Sequence, residues 1–63
     1  MERKTEIVIG SGWDENMAKD SADDQADYII TKNEGREVSR NVLGYPRGIR
    51  FVYCKMEVVY DER

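Results

Sequence analysis

The twelve residues IRFVYCKMEVVY, 49 to 60, constrain this chain more than any other stretch. Ile49, Phe51 and Tyr53 fall on one side of an extended strand. Val52, Cys54, Met56, Val58 and Tyr60 fall on the other, at the period of two that a pleated strand requires. Apolar residues on both sides place such a strand in the middle of a sheet, with partners along both edges. The chain has 63 residues in all, so it reads as a single domain, 1–63, built around that strand. A chain this short buries only about 60% of the surface its unfolded form exposes. The lone Cys54 cannot form an internal disulfide, and without histidine no structural zinc site is expected. Neither metal nor cofactor is expected, and dimerisation or docking on a larger partner would add needed stability.

The remaining elements follow from pattern and punctuation. KTEIVIG, 4–10, alternates Thr5, Ile7 and Ile9 against Glu6 and Val8, a strand that GSG is expected to break. Residues 14–27, DENMAKDSADDQAD, contain no β-branched or aromatic residue and suit a helix capped by Ser11 or Asp14. On that helix Ala18, Ala22, Ala26 and Ile29 line one side, and Asp20, Asp23, Asp24 and Asp27 line the opposite one. An acidic loop is the alternative. Tyr28 to Lys32 is rich in β-formers and reads as a second strand, turning at Asn33, Glu34 and Gly35 into REVSRNV, which suits an edge. GYPRG makes a further turn into the last strand. The expected fold is α+β: a small, largely antiparallel sheet in the order β-α-β-β-β, with one helix packed on one face.

Charge is distributed unevenly. Six of the fourteen residues 14–27 are Asp or Glu, with Lys19 the one cation among them. Lys32, Arg36, Arg40, Arg47 and Arg50 dominate residues 28–50, against Glu34 and Glu37. Catalysis by a nucleophile lacks its usual parts: histidine is absent, and Cys54 is expected inside the central strand. GSGWDE lacks the third glycine of a dinucleotide loop and the lysine of a Walker loop. The acidic segment has neither the glycine nor the ligand spacing of a calcium loop. The chain is therefore not expected to be an enzyme.

An acidic helix face has a cost, since like charges at i, i+4 destabilise a helix by about 0.2–0.5 kcal/mol per pair. The functional expectation is a non-enzymatic inhibitor or modulator that docks this face on a basic surface of a larger protein, such as a groove that otherwise holds DNA or RNA. Asp20, Asp23, Asp24 and Asp27 would carry the charge, Asp14 and Glu15 would extend the field, and Trp13 or Tyr28 would anchor the edge. One alternative is a small nucleic-acid module using Arg36, Arg40, Tyr45, Arg47 and Arg50, which an isoelectric point near 4.8 disfavours. Another is a structural or assembly subunit, with a homodimer as its simplest form. In size, acidity and lack of catalytic groups the chain resembles the general type of small virus-encoded proteins that block host enzymes, a likeness carried by no motif. A lone thiol and apolar runs too short for a leader or membrane span point to the cytoplasm.

Overall fold

The computed structural model describes residues 2–63. Its elements are β1 (Glu2–Gly12), α1 (Glu15–Lys32), β2 (Arg36–Gly44) and β3 (Val52–Glu62). β3 pairs antiparallel with both other strands, giving the order β1-β3-β2. The apolar strand is thus central, as its two-sided pattern requires. β2 is an edge strand, bulged between Glu37 and Ser39 and again between Val42 and Gly44.

The fold is α+β with one helix on one face of an antiparallel sheet, but the sheet has three strands, not four. The stretch Tyr28 to Lys32 continues the helix. Its β propensity is a weak preference that packing overrides: Ile29 and Ile30 extend the alanine stripe and lie against the core. Asn33, Glu34 and Gly35 accordingly end a helix and do not turn a hairpin. Asn33 N–H donates to the Ile29 carbonyl at 3.1 Å and Gly35 N–H to the Ile30 carbonyl at 2.7 Å, while Glu34 takes the positive φ of 50°. These bonds satisfy carbonyls that the last helical turn leaves open. Ile49 to Phe51 also leave the predicted strand and belong to the loop 45–51.

The core is one layer of side chains. Val52, Cys54, Met56, Val58 and Tyr60 of β3 meet Val8 of β1 and the fully buried Ala18, Ala22 and Ala26 of α1. Small residues on the helix let it come close, and the strand beneath must match. Gly10 and Gly12 do so: a Cβ at Gly10 would collide with Ala22 N and Ala18 O, and one at Gly12 with Met17 Cβ. GSG therefore does not break β1, which runs through both glycines to reach Gly12. With Val8, Gly10 and Gly12 inward, Ile7 and Ile9 are left on the open face of the sheet, about half exposed.

Candidate partner-binding surface

The helix begins at Asp14, whose Oδ1 accepts from Met17 N–H at 2.9 Å. Of the two expected caps, Asp14 is the one used, in extended backbone at φ −140°. Its carboxylate is therefore committed to holding the first turn. Glu15 sits in that turn, where the helix dipole favours an anion, and pairs with Arg47 Nη2 at 3.4 Å.

Across the buried alanines, helical geometry sets Met17, Asp20, Asp24, Asp27 and Tyr28 on the solvent side, and all five are exposed. Asp23 is not among them. It turns toward β2, where its carboxylate accepts from Lys19 Nζ at 2.9 Å and Arg40 Nη1 at 3.1 Å. Arg40 also donates to Asp27 Oδ1 at 2.8 Å and to Glu37 Oε1. One guanidinium on β2 thereby ties two helical turns and its own strand together. The bond from Lys19 holds the Asp23 carboxyl below the usual carboxylate range, partial burial opposes that, and Arg40 adds to the lowering. The bond to Asp27 chiefly, with those to Asp23 and Glu37, pushes the Arg40 guanidinium well above its ordinary value.

The expected ridge of four free carboxylates is thus corrected. Among the described residues, Asp20 and Asp24 have no cation within 4 Å; Asp27 shares Arg40 yet keeps a side chain 67% exposed. Asp23 is a structural tie. The reason lies in the sheet: β2 carries Arg40 at the register of Val58, facing the helix, at the flank Asp23 occupies. Met17, half exposed, is a further member of the face that the charge pattern alone does not reveal, although its spacing of i, i+3, i+7 and i+11 with Asp20, Asp24 and Tyr28 marks one side of the helix.

Trp13 and Tyr28 are each 65% exposed. They lie at opposite ends of the helix, about 22 Å apart along its axis, so they cannot anchor one edge together. The Trp13 ring leans on Phe51, centroids 5.0 Å apart, and Tyr28 lies under Lys32 Nζ at 5.9 Å. A shallow apolar depression beside Tyr28 is lined by Asp24, Gln25 and Ile29.

The arginines do not gather. Arg36 opens β2 opposite Asp61, Arg40 is engaged, and Arg47 and Arg50 lie in the loop beyond the far end of that strand, some 30 Å from Arg36. Tyr45 packs at the margin of the core. Among the described residues no shared basic patch results. Cys54 is buried beneath the helix, and that burial raises its thiol pKa. Among the described residues no three acidic or cysteine side chains converge as a metal site, and no helix is long and apolar enough to cross a membrane. The chain matches no protein-family model, and no curated protein and no solved structure is significantly similar to it.

Proposed function

We propose that this chain is a non-enzymatic binding module of the cytoplasm that inhibits or modulates a larger protein by seating its acidic helix face on a basic surface. One observation carries this reading: among the described residues no cation pairs with Asp20 or Asp24, which stand on the solvent face of an 18-residue helix, flanked by exposed Met17 and Tyr28. Carboxylates one helical turn apart are separated by about 6 Å, near the spacing of successive phosphates, so the face imitates a short run of nucleic-acid backbone. Met17 and Tyr28 supply the apolar contacts that a purely charged surface lacks, since aromatic residues dominate interface hot spots. The spread of the arginines gives no comparable support to direct nucleic-acid binding.

The double variant Asp20→Asn/Asp24→Asn tests this cleanly, because neither carboxylate holds the fold together. A partner recovered from lysate of the source cells with the wild-type chain is titrated by calorimetry against both forms. The variant should bind at least about tenfold more weakly, and wild-type affinity should fall with salt. Equal affinity of the two forms overturns the reading.

A further inference from the structure

β1 is an edge strand of eleven residues, paired with β3 in unbroken register. The other edge, β2, is bulged twice. Bulges blunt an edge against further pairing, so β1 is the edge left able to template a strand. In an antiparallel ladder alternate residues turn both N–H and C=O away from their neighbour. Ile9 shows which residues these are, since its carbonyl accepts Gln25 Nε2 from the helix flank at 2.7 Å. Arg3, Thr5 and Ile7 share the parity of Ile9. Among the described residues no hydrogen bond from outside the sheet reaches their backbone groups.

The side chains of this free segment are self-complementary. On the helix side it reads Glu2, Lys4, Glu6, and the helix does not cover them: both glutamates are exposed and Lys4 is half-buried. Lys4 Nζ lies 2.9 Å from Glu2 Oε2 on the same strand, an exposed pair whose ammonium keeps donors for a second carboxylate. Consider two copies of β1 running antiparallel about a two-fold axis at Thr5. Lys4 of each then faces Glu6 of the other, Thr5 meets its counterpart, and Arg3, Thr5 and Ile7 exchange about six ladder bonds. Opposite charges and threonine pairs across a ladder both favour pairing. Moving the axis to Glu6 sets like charges against each other. Moving it to Ile7 requires the Ile9 carbonyl to give up Gln25.

We infer that the protein forms a two-fold homodimer in which β1 pairs antiparallel with β1 of a second copy over Glu2–Val8, joining two three-stranded sheets into one of six. Both helices then lie on the same face of that sheet. The pairing rests on the strand's charge pattern and open edge, independently of the acidic helix face. Seven residues of edge, about 24 Å long, make a narrow contact at the small end of interface sizes, so the dimer dissociates on dilution.

Sedimentation velocity over a dilution series tests this. The wild type should shift from dimer to monomer on dilution. Thr5→Pro removes an outward N–H, which an edge strand tolerates, and should be monomeric throughout with an unchanged helical circular-dichroism signal. Lys4→Glu should weaken association at least about tenfold, and K4E/E6K should restore it by exchanging the two charges. A wild type that stays monomeric at the highest concentration overturns the inference. So does a dimer that survives Thr5→Pro, or a charge exchange that fails to recover association. If Thr5→Pro loses its helical signal, the charge-exchange result alone decides.

Discussion

Replacing Gly10 by alanine tests the close approach of α1 to β1. No glycine of the described residues has positive φ, so Gly10 is required for space and not for an unusual backbone angle. The added methyl would stand 2.8 Å from Ala22 Cα and nearer still to Ala22 N and Ala18 O. Ordinary heavy-atom contact begins near 3.5 Å, so the helix must retreat by about 1 Å. No flexible side chain can absorb the strain, because the obstructing atoms are backbone. A gap of that size along the Ala18, Ala22 and Ala26 ridge forfeits between about a quarter and a half of each dispersion contact. Overpacking of this kind costs about 1–3 kcal/mol, and the reduced freedom of the unfolded chain offsets about 0.4–1 kcal/mol. Because the obstructing atoms are backbone, the upper end of that cost applies, and we expect Gly10→Ala to lose about 2 kcal/mol. The whole domain is held by only about 3–9 kcal/mol at ordinary stability per residue. With a urea slope near 1 kcal/mol/M for so small a chain, the unfolding midpoint should drop by about 2 M. Gly44→Ala is the control: nothing lies within 4 Å of its added methyl, and its stability should change by less than about 0.5 kcal/mol. A Gly10→Ala midpoint equal to or above that of the wild type would refute the close-approach reasoning.

Two further outcomes follow from the helix cap and the carboxylates. Asp14→Ala strips the side-chain acceptor from Met17 N–H and should cost about 1 kcal/mol, read as a lower urea midpoint with fraying of the first turn in amide exchange; unchanged exchange at Met17 would contradict the cap's role. Acid should also destabilise the fold. Asp23 and Asp61 have folded pKa values lowered from 3.8, by the bonds from Lys19 and Arg3 respectively, which outweigh partial desolvation. Their unfolded forms bind protons first, so their contribution is complete above about pH 5 and is lost as pH falls through 3.8 toward the folded values. Urea midpoints should therefore fall between about pH 5 and pH 3, less steeply in Asp23→Asn; equal slopes for the variant and wild type would remove Asp23 from this account.

The alternation of Val52 to Tyr60, the alanine stripe and the cap at Asp14 are all legible in the order of the residues. Each is a local rule: a strand's period, a helix's period, or an oxygen three residues from a free N–H. Periodicity therefore tells which residues share a side, which strand is central, and that one helix carries many aspartates on its outer half. Three things lie beyond such rules. Whether Tyr28 to Lys32 becomes strand or helix depends on Ile29 and Ile30 finding the core, a contact with residues distant in the chain. Whether Ile7 and Ile9 or Val8 turn inward depends on how closely the helix approaches, which Gly10 decides through the space it leaves for Ala18 and Ala22. The fate of the aspartates depends on Arg40, seventeen residues beyond Asp23 in the chain, reaching the helix from the neighbouring strand. A pattern of single residues reports what each prefers, while pairing across the sheet and between layers sets which preference prevails, because those contacts exist only once the chain has folded.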